Sequence, residues 1–141
     1  MRVISPLILT ALLLPLAAQA EGLPRTSAPD GAQVYLIAPA DGATVASPVL
    51  VQFGLKGMGV APAGTAAENT GHHHLLIDTG VPALDQPVPA DAQHVHFGKG
   101  QTETTIALSP GTHTLQLLLA DQNHIPHVPA VMSEKITITV K

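Results

Sequence analysis

The 141-residue chain contains no cysteine and no tryptophan. Without cysteine there is no disulfide framework, and a metal ion cannot be held by thiolate, leaving histidine, methionine or the amino terminus for that task. Aromatic residues are scarce as well, one Tyr and two Phe, and Lys and Arg number six against ten Asp and Glu. Nucleic-acid binding wants a basic stripe with aromatics on which bases stack, so that class is set aside. There is no G-x-S-x-G elbow and no cysteine nucleophile, which leaves hydrolytic catalysis without visible machinery and points to a protein that is not an enzyme. "GKGQTE" (98–103) resembles a phosphate loop only superficially. It lacks the G-x-x-x-x-G-K-[ST] spacing and a following helix, and reads as a glycine-rich turn. Repeats, heptads and a basic amphipathic helix are missing too.

Long apolar runs are confined to the beginning, "MRVISPLILTALLLPLAAQAEG". Arg2 gives a short positive region, residues 3–18 are almost wholly apolar, and Ala18-Gln19-Ala20 has the small-x-small form of a cleavage site. The expectation is a secretory signal peptide over residues 1–20 and a periplasmic or secreted mature chain from Glu21. Pro6 and Pro15 interrupt the run, and it is short for a membrane span. Residues 21–33 are rich in Pro, Ser, Gly and Ala and read as a flexible leader. Residues 34–141 suit one domain, long enough to bury a core without staples.

Within that domain the pattern has period two, with turn residues between runs. The runs are 34–37, 49–55, 73–78, 94–97, 102–108, 113–121 and 133–140. In "VLVQFGL", Val49, Val51, Phe53 and Leu55 share one face; in "SEKITITV", Ile136, Ile138 and Val140 do. No segment offers a helical face of three turns. About seven short strands argue for an all-β, Ig-like antiparallel β-sandwich, with a closed barrel as the alternative. In Ig order the runs are strands A to G, with 94–97 as D.

What the chain does have is histidine, eight in all: "HHH" (72–74), "HVH" (94–96), His113, and "NHIPH" (123–127). On a strand, H-x-H puts both side chains on one face, so His72 and His74 form one pair and His94 and His96 another. His73 should then point away from its neighbours. His124 and His127 have the spacing of a loop clamp stiffened by Pro126. The Ig-like topology gathers seven histidines at one pole and sends His113 to the other. Imidazoles without thiolates favour Cu(II), Zn(II) or Ni(II), while Met58 and Met132 are candidate additions for Cu(I). The expected ligands are His72, His74, His94, His96, His124 and His127. The alternative is a buried hydrogen-bond network of imidazoles that pins the long 79–100 loop. His113 reads as structural, and Met58 and Met132 as packing residues.

The segments "GLKGMGVAPAG", "TGHHHLLID", "HFGKGQTET", "PGTHTLQLLLAD" and "NHIPHVPAVMSEKITITV" together resemble a bacterial domain-of-unknown-function family, DUF4399. The likeness spans about residues 34–141. It implies a small exported protein with a compact β-domain and carries no activity with it.

Taken together these features point to an exported metal-binding protein, copper first and zinc as the alternative, acting as a carrier, buffer or sensor. Its expected partners are the ion and a periplasmic or membrane protein, with no nucleic acid and no membrane insertion of the mature chain. The competing reading is a non-enzymatic Ig-like adaptor whose histidines are structural. A metal-dependent enzyme with an open coordination position is a weaker third, since no further acid or base is in view.

Overall fold

Alternation of apolar and polar side chains builds most of the strands. The structure, a computed structural model, describes residues 23–141, so the expected signal peptide lies outside the described residues. β3 (Val49–Lys56) buries Val49, Val51 and Phe53, and β9 (Ile136–Val140) buries Ile136, Ile138 and Val140 while exposing Thr137 and Thr139. The remaining strands are β1 (Gln33–Ala38), β2 (Thr44–Val45), β4 (Gly59–Val60), β5 (Thr70–Ile77), β6 (His94–Phe97), β7 (Glu103–Ile106) and β8 (Gly111–Ala120). There is no helix among the described residues.

The strands form two sheets. One has the order β1-β3-β7; the other has the order β2-β9-β8-β5-β4, with β6 also pairing β5. Val34, Val51, Phe53, Leu75, Leu117 and Ile138 belong to the core cluster that both sheets share. This is an all-β sandwich with Ig-like order, A-B-E on one side and G-F-C on the other. The two short strands β2 and β4 add to the seven runs expected.

The sequence reading is corrected at 94–97. That strand does not join the first sheet as D. It pairs antiparallel with β5, setting His74 opposite His96 and Leu76 opposite His94. The reason lies in the loop before it. Val88, with Leu84 against it, packs on Leu118 and Ala120, so the 79–93 segment crosses the outer face of the second sheet. It then returns along the open edge of β5. β5 and β8 are in consequence covered on both faces, which is why "HHHLLI" and "LLLA" are near-continuous buried runs.

Residues 23–33, expected as a flexible leader, are docked in part. Arg25 donates to the carbonyls of Pro126 and His127, and Ser27 forms an isolated bridge with Val128. The backbone N–H groups of Ala28 and Val128 complete this attachment through Val128 O and Thr26 O. The polar composition of the segment does not reveal these backbone pairings.

Candidate metal centre

Strand alternation sorts the histidine triplet first. His73 turns into the core, its ring centroid 5.1 Å from that of Phe53. His72 and His74 turn to the opposite face, each only 1% exposed. There Nε2 of His74 stands 3.1 Å from Nε2 of His72. β6 brings His96 level with His74, and their ring centroids are 5.1 Å apart. The fourth imidazole comes from the loop between β8 and β9. Nδ1 of His124 lies 3.1 Å from Nε2 of His72. One ligand nitrogen from each of His72, His74, His96 and His124 falls within 4.8 Å of all the others.

Local chemistry explains the placement of His124. Asp121 Oδ1 accepts hydrogen bonds from the N–H groups of Asn123 (2.8 Å) and Ile125 (3.1 Å), and the His124 N–H donates to Asp121 O. An aspartate bonding to the backbone two residues on is the usual way this side chain makes a turn. His124 adopts φ 65° at the tip, and Val88 N–H donates to its carbonyl.

A second device was not legible in the sequence. Three backbone hydrogen bonds from residues 61–64 reach the three ligand-bearing segments. Ala61 N–H donates to Gly71 O, Ala63 N–H to Gly98 O, and Gly64 N–H to Gln122 O. Each accepting residue is one or two positions from a cluster histidine. The Gly and Pro of "GVAPAG" signal a turn, but nothing in them signals what the turn binds.

Two expected ligands lie elsewhere. His94 shares a face with His96, but two residues along a strand are roughly 7 Å apart, so it is level with Leu76 instead. Its Nδ1 is 2.8 Å from Oδ1 of Asp91, which also accepts the N–H groups of Gln93 and His94. His127 is buried on the other face of the sheet. Pro126 bridges to Ala120, so the next residue turns inward, and a β-carbon on Gly71 would come within 3.0 Å of its Cε1. Its Nε2 is 3.2 Å from Thr70 O. The one-pole expectation of seven histidines thus reduces to a cluster of four. His113 is held apart, with Nδ1 2.7 Å from Asp78 Oδ2. Met58 packs against the core, and Met132 is exposed on a bridge to Leu118.

The cluster is electrically prepared for a cation. Burial, followed by repulsion from His124 and His96, pushes His72 down to about 4. Burial, followed by repulsion from His72, pushes His74 down to about 3, and burial lowers His96 as well. These rings are therefore neutral at pH 7 and carry a free lone pair, the form a metal needs.

Hydrogen bonding alone satisfies the arrangement poorly. His72 Nε2 faces both His74 Nε2 and His124 Nδ1. If it bears a proton it can donate to one of them and has no lone pair for the other; if it bears none, a single lone pair serves two contacts. The Nδ1 atoms of His72 and His74 are buried without a partner. An ion would take every inward lone pair at once. Two nitrogens bound at 2.0–2.1 Å in a tetrahedron stand roughly 3.3 Å apart, close to the 3.1 Å seen here. The residues fit a divalent ion with imidazole ligands. A cavity of about 400 Å³ lined by Thr26, Glu68, Asn69, Asp121 and His127 includes none of the four.

Residues 51–141, which contain all eight histidines, match the family described as Domain of unknown function (DUF4399). Neither a curated protein nor a solved structure matches the chain. With well over half of its length matched, the chain belongs to the DUF4399 family.

Proposed function

We propose that this protein binds a single divalent metal ion, copper first and zinc as the alternative, through His72, His74, His96 and His124, and serves as an exported carrier, buffer or sensor. The observation that carries the reading is the convergence of four imidazoles from three separate segments on one point. Imidazole is a good ligand for Cu(II) and Zn(II), and geometry divides them: a tetragonal site favours Cu(II), a tetrahedral one Zn(II). Four imidazoles make Cu(I) the weaker choice, since soft thioether and thiolate ligands select it. Export rests on the N-terminal pattern of the sequence.

The competing reading is an Ig-like adaptor whose imidazoles only pin loops. It draws on the two N···N contacts at 3.1 Å, and what counts against it is that His72 Nε2 faces two imidazole nitrogens and can serve only one of them by hydrogen bonding. Equilibrium titration of the mature protein with Cu(II), Zn(II) and Cu(I) separates the two. The metal reading expects one ion per chain at about micromolar affinity or tighter. Binding no tighter than about millimolar for all three ions would leave the adaptor reading in its place.

A further inference from the structure

The four imidazoles are not equivalent. His72 and His74 are buried in the middle of the second sheet, on a strand flanked by β8 on one side and by β4 and β6 on the other. His96 is exposed on the four-residue β6, which pairs only with β5 among the described residues. His124 is partly buried at the tip of the Asp121–Ile125 turn. Two ligands are therefore fixed in a rigid wall, and two belong to elements that solvent reaches.

We propose that the site is an exchange site, in which the ion enters and leaves on the His96–His124 side by associative ligand displacement. The inference rests on the metal reading above. In this exchange a nitrogen or oxygen donor from outside forms a bond to the ion with its own lone pair, and the bond from His96 to the ion breaks. No electron is transferred, and the proton on the remote nitrogen of each imidazole stays where it is. The freed His96 ring is taken up by water, which its exposed position allows. His124 follows, and the buried pair releases last. A site closed on all sides behaves differently: it must open before any competitor reaches the ion, so loss is governed by the protein alone.

The test follows the removal of Cu(II) from the loaded full-length mature protein by EDTA, read by stopped-flow absorbance. The proposal expects a removal rate that rises in proportion to EDTA over at least a tenfold range. A rate independent of EDTA overturns it while leaving the metal reading intact. Binding of Cu(II), Zn(II) and Cu(I) no tighter than about millimolar by the wild-type protein overturns both, so the two failures are distinguishable. If Zn(II) alone binds, the same EDTA series is read on the zinc-loaded protein by release of zinc to a chromophoric chelator. A second arm uses chemical rescue. In His96→Gly, added imidazole is expected to restore the wild-type Cu(II) spectrum, because the vacated position opens to solvent. In His74→Gly, checked for fold by circular dichroism, it is expected not to. Equal rescue at both positions, or rescue at 74 alone, contradicts the inner and outer assignment. The EDTA dependence decides the question on the wild-type chain even if His74→Gly does not fold.

Discussion

Gly98 and His96 share space that a larger residue at 98 would need. A β-carbon on Gly98 would overlap Cε1 and Nε2 of the His96 imidazole, and would also come within 3.2 Å of Ala63 Cβ. Gly98→Ala must therefore move the ring. Overpacking of a rigid core costs about 1–3 kcal/mol, but His96 is exposed and free to swing. The expected result is a thermal midpoint close to wild type together with at least about tenfold weaker metal binding, a change of roughly 1.4 kcal/mol. Titration and a melting curve on the same preparation check this; unchanged affinity would mean that His96 is not a ligand.

The turn that presents His124 depends on one oxygen. Asp121 is 3% exposed, and its Oδ1 accepts two backbone N–H groups. Asp121→Ala leaves those donors without their partner, at about 1–3 kcal/mol for a buried group. Asp121→Asn keeps an acceptor oxygen. Chemical denaturation is expected to show a clear loss for the alanine variant and a smaller one for asparagine, with metal affinity falling in the same order. Equal affinity in both variants and wild type would separate the turn from the site.

Much of this arrangement was legible in the sequence, and the limits are physical. Period-two alternation gave the core faces of β3 and β9, and it also separated His73 from His72 and His74, since neither depends on a distant neighbour. H-x-H spacing could say that His94 and His96 share a face. It could not say which of them is level with His74, because register is set by the course of the 79–93 loop across Leu118 and Ala120. His127 parts from the four-histidine group for a similar reason: Pro126 pairs with Ala120 and turns the next side chain to the other face. The brace at Ala61, Ala63 and Gly64 is made of backbone groups, and side-chain identity carries no trace of it.

His73 offers a test that is independent of the metal. Burial pushes its imidazole down to about 4 from the ordinary 6.5, and neither ring nitrogen has a hydrogen-bond partner. The unfolded chain then binds a proton that the folded chain refuses, so stability is complete above about pH 6.5 and is lost as the pH falls toward 4. The shift corresponds to about 3 kcal/mol across that window. Urea denaturation of metal-free protein at pH 7 and pH 4.5 is expected to show a smaller difference for His73→Leu than for wild type. That variant should keep its metal affinity within about threefold, or roughly 0.7 kcal/mol. An unaltered pH difference would place His73 outside the core.

At the opposite end of the sandwich, the His113–Asp78 pair gives a pH effect of the other sign. The hydrogen bond that His113 donates to Asp78, and after it the one to the Ser109 carbonyl, raise the pKa of His113. For Asp78, some burial works upward, but the bonds from His113 and from the Thr114 N–H prevail and lower it. The raised histidine stabilises the fold fully below its unfolded value, about 6.5, and loses this as the pH rises through its folded value. The lowered carboxylate contributes above about 3.8 and loses this in acid. The pair therefore helps most between those values. Proton NMR titration is expected to show the His113 pKa falling toward 6.5 in Asp78→Asn, and no fall would remove the pair from the account.

The central claim is that His72, His74, His96 and His124 form one site and that the other histidines do not belong to it. Isothermal titration of Cu(II) and Zn(II) into two double variants puts this most directly. His94→Ala/His127→Ala should bind one ion with affinity within about tenfold of wild type, or 1.4 kcal/mol. His72→Ala/His74→Ala should lose more than the 10–100-fold that outer partners of a ligand typically cost. The reverse order, or equal losses in the two variants, would contradict the account.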